Sequence, residues 1–244
     1  MILLIVFFSF GYVFYDNYSA MQVDNNIKEN ITKVIEINNS EEIIAELNKD
    51  KKEDEKLVIN EDIASLINVN PEVVAWLKVN NTNIDYPVVQ SDDNTYYLKH
   101  NIYLEEDNNG WVFMDYRNDT DRLSDNIIIY AHNRYYNGIM FGTLQNTLRY
   151  SWYSNPENQT ISFKTLYEDL DYQVFSIYKI SVTTDYMRTL FADDNDRLEF
   201  FNMLKDRSIY DFGVELSGDD KIITLSTCAD DYNRYVLHAV LKEK

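Results

Sequence analysis

Cysteine is almost missing from this 244-residue chain; Cys228 is the only one. No intrachain disulfide can form, so stability has to come from a core. Outside the cell an unpaired thiol needs a chemical reason, whereas in the cytosol it can be a small buried hydrophobe. Three prolines and six glycines are also few, which excludes collagen-like and low-complexity character. Lysine and arginine number 22 against 41 acidic residues, for a formal net charge of −19. Phosphate backbones repel such a surface, and with no local basic patch nucleic-acid binding is excluded. The ordinary reading of the charge is solubility. A glycine-rich phosphate loop and a dinucleotide fingerprint are both lacking. One cysteine and three scattered histidines have no zinc-ligand spacing, and Asp92-Asp93-Asn94 lacks the rest of a calcium loop. No metal or cofactor is expected.

What the chain does have is 45% hydrophobic residues, with 20 tyrosines and 12 phenylalanines. That is enough for one sizeable core rich in strand formers. Residues 1–15 carry no charge. The run is shorter than the roughly 20 residues of a spanning helix, but Tyr12 and Tyr15 suit a membrane interface. No basic segment precedes it and no small-x-small cleavage site follows. It reads as an uncleaved membrane anchor with the body of the protein outside; a buried N-terminal helix is the alternative. Residues 16–69 read as a polar stalk with amphipathic helices, Ile27, Ile31, Val34 and Ile35 recurring at helical spacing. Asn70-Pro71-Glu72 carries a helix-start signal.

From Val73 the pattern turns to short apolar runs separated by polar turns. Strands are expected at 73–79, 86–90, 110–115, 126–131, 160–163, 171–182, 221–227 and 234–242. A helix is expected near 193–205, its acidic start followed by Leu198, Phe201 and Leu204 on one face. About eight locally connected strands with few helices predict a mainly β, mixed-to-antiparallel barrel spanning residues 70–244.

The chemistry centres on the end of that barrel. Cys228 closes an apolar strand, and Arg234 opens the next after a short polar loop. A thiol needs a base or a stabilised thiolate to be a nucleophile at neutral pH. His132, at the end of the 126–131 strand, is the best candidate, because two strand ends on one rim can meet whatever their separation in sequence. His100 lies in a polar stretch and is expected to be exposed. His238 shares a face with Arg234 but stands about 13 Å along the strand, too far to share a proton. The guanidinium of Arg234 can stabilise an oxyanion or hold a carbonyl; pairing with Asp230 or Asp231 is its structural alternative.

Thr224-Leu-Ser-Thr-Cys228 followed by Arg234-Tyr-Val-Leu-His-Ala resembles the signature of sortases, cysteine transpeptidases of Gram-positive surfaces. Ala75-Trp-Leu-Lys-Val, Ile84-Asp-Tyr-Pro-Val-Val-Gln90, Asp93-Asn-Thr-Tyr-Tyr-Leu98, Phe113-Met-Asp-Tyr-Arg-Asn118 and Ile129-Tyr-Ala-His132-Asn resemble class B members, in the family's order. The similarity covers about residues 70–242.

It implies an eight-stranded sortase barrel with N-terminal helices and a helix before the penultimate strand. It also implies that Cys228 forms a thioester with the threonine of a C-terminal sorting signal. His132 would then exchange protons with the leaving and incoming amines, and Arg234 would hold substrate and oxyanion. Asn94, Leu98, Tyr186, Met187 and Ser226 fall where class B enzymes line the peptide groove, and Asp230 is available to orient the histidine. The implied partners are surface proteins bearing a sorting signal and a peptidoglycan precursor or cross-bridge amine. The loop from Cys228 to Arg234 is shorter than in some class B members. The competing reading is a non-catalytic extracellular peptide-binding barrel in which Cys228 is a core residue.

Overall fold

The computed structural model describes residues 2–37, 40–49, 58–120, 122–228 and 230–242, with the backbone alone for residues 2–10 and Cys228. The chain opens with helix α1 (Ile2–Ile37), which runs unbroken through the expected anchor and into the expected stalk. Its C-terminal half packs against the barrel: Ile27 and Ile31 are buried in the main core, with Met21, Val34 and Ile35 alongside. Among the described residues, no helix is long and apolar enough to cross a membrane. Helices α2 (Glu41–Leu47) and α3 (Glu61–Ile67) follow. Asn60 caps α3, its Oδ1 accepting from the backbone N–H groups of Asp62 and Ile63.

Asn70-Pro71 does not start a helix. Asn70 is fully buried, and its Oδ1 accepts from Glu72 N at 2.9 Å. Its amide donates to Tyr97 Oη at 2.8 Å and Ile102 O at 3.0 Å. The side-chain chemistry of a cap has been used to close a turn, and the chain enters a strand.

Eight strands close a barrel: β1 (Val73–Val79), β2 (Asp85–Val89), β3 (Phe113–Met114), β4 (Asn126–Tyr130), β5 (Thr160–Thr165), β6 (Asp169–Ser181), β7 (Ile222–Cys228) and β8 (Asn233–Leu241). Around the barrel the order is β1-β2-β3-β4-β7-β8-β6-β5, with β5 pairing back to β1. Two neighbours, β2/β3 and β4/β7, are parallel and the others antiparallel. Closure removes the exposed edges that an open sheet of this composition would present.

Alternation along the strands separates two apolar layers. Ile127, Ile129, Ile223, Leu225, Leu237 and Ala239 join the main core. Ile222, Val236 and Val240 face outward, where helix α4 (Asp194–Asp206) covers them with Phe200, Phe201 and Leu204. Asp193 caps α4 through Asp196 N. The helix lies before the penultimate strand, as expected, with Phe200 on its buried face and Leu198 only half-buried.

Candidate active site

The parallel pairing of β4 with β7 builds the site. Its register runs from Asn126 opposite Ile222 to Tyr130 opposite Ser226. His132 and Cys228 each lie two residues beyond that last pair, so they occupy matching positions at the barrel rim although 96 residues separate them. Thr227 Oγ1 donates to Ala131 O at 2.6 Å, carrying the alignment one step past the ladder. On the other side of β7, Arg234 of β8 is the antiparallel partner of Cys228. Three neighbouring strands thus set His132, Cys228 and Arg234 in a row. Short range in sequence supplied only the Cys228–Arg234 half of it.

His132 is half-buried, with Nε2 2.8 Å from Leu98 O. A carbonyl only accepts, so Nε2 carries the proton and the neutral ring keeps Nδ1 as its basic nitrogen. Burial pushes the imidazole below its ordinary pKa; the Leu98 carbonyl opposes that shift, and the Arg134 charge adds to it. The base is therefore neutral at pH 7. Leu98, expected in the groove for its side chain, also orients His132 through its main chain.

Asp230 does not orient the histidine. Its carboxylate takes bonds from Lys179 at 3.0 Å, Tyr232 N at 2.9 Å and Asn233 Nδ2 at 2.8 and 3.0 Å. The Lys179 ammonium foremost holds its pKa down to about 2. That leaves Arg234 without this carboxylate: its Nη1 reaches Asn233 O at 3.0 Å and Asp230 O at 3.4 Å. Held by neutral carbonyls, the guanidinium keeps its full charge for a ligand.

A cleft of about 390 Å³ adjoins the row, lined by Asn94, Leu98, Met187 and Ser226 together with His132 and Arg234. Tyr186 is not on its surface. That ring is fully buried, and its hydroxyl lies 2.9 Å from Ser226 Oγ. Asn94 reaches the cleft but is committed at both ends, donating to Asp115 Oδ2 and accepting from Tyr116 N, each at 3.0 Å.

Asp115, which sequence reasoning did not single out, ties the walls together. Fully buried, it accepts from Arg117, from Tyr130 Oη at 2.9 Å and from Asn94. Burial is the largest single influence and acts to raise its pKa, but the hydrogen bonds from Arg117 and Tyr130 and the Arg117 charge together outweigh it and lower the pKa. Arg117 also donates to Met187 O at 3.1 Å, on the far side of the cleft. The segment Phe113-Met-Asp-Tyr-Arg-Asn118 held this signal, an acid two residues before an arginine, without showing that it pointed inward.

The model of the sortase domain matches residues 77–242. The chain belongs to the sortase family. It is 35% identical over 170 residues to sortase B of Listeria monocytogenes, covering 70% of this chain and 68% of that protein. The same identity holds over 180 residues of sortase B from Staphylococcus aureus, covering 74% and 72%. The solved Staphylococcus aureus sortase B–substrate complex superposes with a TM-score of 0.74 at 29% identity, covering 90% of this chain and 98% of that one. The fold is that of class B sortases, and the chain is a cysteine transpeptidase of that class.

The remaining histidines of this sortase are structural. His238 is fully buried, its Nδ1 2.8 Å from Thr224 Oγ1 and its Nε2 2.8 Å from Tyr178 Oη. His100, expected to be exposed, is half-buried: it stacks on Tyr96 at 4.0 Å, and its Nδ1 donates to Tyr96 O at 2.8 Å.

Proposed function

We propose that this sortase cleaves a C-terminal sorting signal after its threonine and transfers the surface protein to a peptidoglycan amine. The observation that carries the reading is the row His132, Cys228, Arg234 on three adjacent strands, beside a cleft able to take an extended peptide. The Cys228 sulfur attacks the threonine carbonyl, and Arg234 offers its charge to the oxyanion that develops there. His132 takes the proton of the Cys228 thiol and passes it to the departing amine, then takes a proton from the incoming amine and returns it to the sulfur as the carbon–sulfur bond breaks. Leu98, Met187 and Ser226 contact the signal directly. Asn94 shapes the wall, and Tyr186 acts through Ser226. The class B resemblance points to an Asn-Pro-x-Thr or Ser/Pro-Pro-x-Thr signal over Leu-Pro-x-Thr-Gly, and the peptide library below decides between them. Residues 1–15 form the anchor that holds the enzyme at the membrane with residues 70–244 outside, and residues 16–69 join the two. The fit of α1 against the barrel is consistent with a short link between them.

The test is to incubate the protein with a small library of sorting peptides, with and without an amine acceptor, and identify products by mass. Cleavage after threonine, with an amide product only when acceptor is present, is expected. Cys228→Ala and His132→Ala should each abolish it with the fold intact, and Arg234→Lys should be severely impaired because a point charge cannot replace a planar fork. Near-normal cleavage by Cys228→Ala or His132→Ala would overturn the assignment of these roles, whereas no cleavage by the parent protein would favour the non-catalytic binding barrel.

A further inference from the structure

Helix α1 sets where the barrel stands relative to residues 1–15. It is unbroken from Ile2 to Ile37, so each residue adds about 1.5 Å along one axis. Tyr12, Val13, Phe14 and Tyr15 follow one another around its full circumference, and all four are exposed. A helix apolar on every side needs an apolar surrounding, and the described residues of this chain supply none there. The first charged side chain after this run is Asp16. One residue on, Asn17 O accepts from Asn137 Nδ2 at 3.3 Å.

Asn137 belongs to a short ribbon that directly follows His132, in which Asn133 and Arg134 pair with Met140 and Ile139. Its turn presents Tyr135 and Tyr136 to solvent, the second 83% exposed, with their rings 5.3 Å apart. The charge of Asp16 reaches Arg134, a second sign that α1 and the ribbon lie side by side. Asn17 is two residues past Tyr15, about 3 Å along the axis. The interfacial layer of a bilayer is about 5–8 Å deep on each side of the hydrocarbon core. A bilayer surface that meets α1 at Tyr15 is therefore level with the ribbon that touches Asn17. Tyrosine suits that layer, with an apolar ring and a polar tip. The charge pattern fits as well. In a chain with 41 acidic residues, residues 126–156 hold none, so this face is spared the repulsion that anionic headgroups exert on the rest.

We propose that Tyr135 and Tyr136 seat the barrel on the membrane–water interface, beside Tyr12, Tyr15 and Tyr18 of α1, and that the partner of this surface is the lipid headgroup layer. This rests on the reading of residues 1–15 as the anchor and adds which part of the barrel faces the bilayer. The contact requires α1 to enter the interface, not to cross the bilayer. Because Tyr135 comes three residues after His132, the rim that carries the row is held close to the lipid surface.

The test uses the full chain carrying Cys228→Ala, with one cysteine at a time labelled by a nitrobenzoxadiazole. Tyr15→Cys reports on the anchor, Tyr136→Cys on the ribbon and Tyr167→Cys on the turn between β5 and β6. That turn lies beyond the Lys164–Asp169 pair, at the end of the barrel where β7 begins and away from Cys228. The protein is mixed with vesicles of phosphatidylcholine and phosphatidylglycerol in which part of the lipid bears a spin label on its headgroup. Emission should be lost at positions 15 and 136 and kept at 167, and Tyr135→Cys should behave as Tyr136→Cys does. Loss at 15 alone would overturn the proposal and leave the anchor standing. Loss at none of the sites would overturn both. Equal loss at 136 and 167 would show adsorption without orientation, and a label at 136 already shielded without vesicles would assign the surface to a second copy of the chain; either result would overturn the proposal.

Discussion

Thr227 donates its hydroxyl proton to the main-chain carbonyl of Ala131 at 2.6 Å. Each residue is the immediate predecessor of a proposed catalytic one, Cys228 and His132. The bond therefore fixes the register of nucleophile and base just where the β4/β7 ladder has ended.

Replacing Thr227 with valine keeps the volume but leaves the Ala131 carbonyl without its donor in a buried position. The stability cost should be about 1–2 kcal/mol, a shift of a few degrees in melting temperature. Turnover should suffer more, because a small misplacement of reacting groups is costly. Cleavage by Thr227→Val is expected to fall about tenfold in kcat with little change in KM. Thr227→Ser keeps the bond and should recover most of the rate. If the valine variant turns over like the parent, the bond has no positioning role.

The environment of His132 makes a second prediction. Burial lowers its pKa and the Arg134 charge lowers it further, against the Leu98 carbonyl. A depressed folded pKa means that the imidazole stays neutral as pH falls through its ordinary value and protonates only below it. In Cys228→Ala, which removes coupling to the thiol, the His132 ring signal should titrate with a midpoint below about 6.5. Arg134→Gln should move that midpoint upward. A midpoint at or above the ordinary value would show that the ring is more open to water than its packing implies.

The fold was largely legible in the residues. The apolar runs that end at Tyr130 and Cys228, and the Asp193 cap followed by Phe201 and Leu204, placed strands and the inserted helix close to where they lie. Which strand lies beside which was not legible, because the β4/β7 pairing joins segments about a hundred residues apart and no local pattern encodes it. The resemblance brought Cys228, His132 and Arg234 together before any geometry did. It was less useful for side-chain direction. Tyr186 and Met187 are adjacent, yet one is buried under Ser226 and the other lines the cleft. A loop has no period from which to read its facing. Asn70-Pro71 misled for a different reason, since capping and turn closure use the same side-chain acceptor.

Helix α1 is joined to the active-site rim through Tyr86. The buried Tyr86 hydroxyl accepts from Met140 N at 2.9 Å and donates to Asp24 Oδ2 of α1 at 3.1 Å. Met140 sits at φ 52°, an uncommon conformation for a side chain of that size, and pairs with Asn133, the residue after His132. Tyr86→Phe leaves the Met140 N–H and the Asp24 carboxylate short of a partner. A loss of about 2–3 kcal/mol in urea unfolding is expected, with faster amide exchange at residues 133–141. Exchange unchanged in that segment would mean that residues 133–141 are held without Tyr86.

His238 should make part of the stability pH-dependent. Burial, reinforced by the Arg207 charge, pushes its pKa down to about 3, against about 6.5 when unfolded. Thr224 donates its proton to Asn126 Oδ1 at 2.7 Å, so its oxygen accepts from His238 Nδ1, and Nε2 is left to accept from Tyr178. Neutral imidazole satisfies every member of that network, and imidazolium breaks it. Below about pH 6.5 the unfolded chain binds a proton that the folded chain refuses, so stability must fall as pH falls toward 3. His238→Gln loses part of the network and should be less stable than the parent by about 1–2 kcal/mol at pH 7. It carries no such proton, so the gap in urea midpoint should narrow steadily between pH 6.5 and pH 4. A constant gap across that range would show that His238 titrates alike in both states, contrary to its burial.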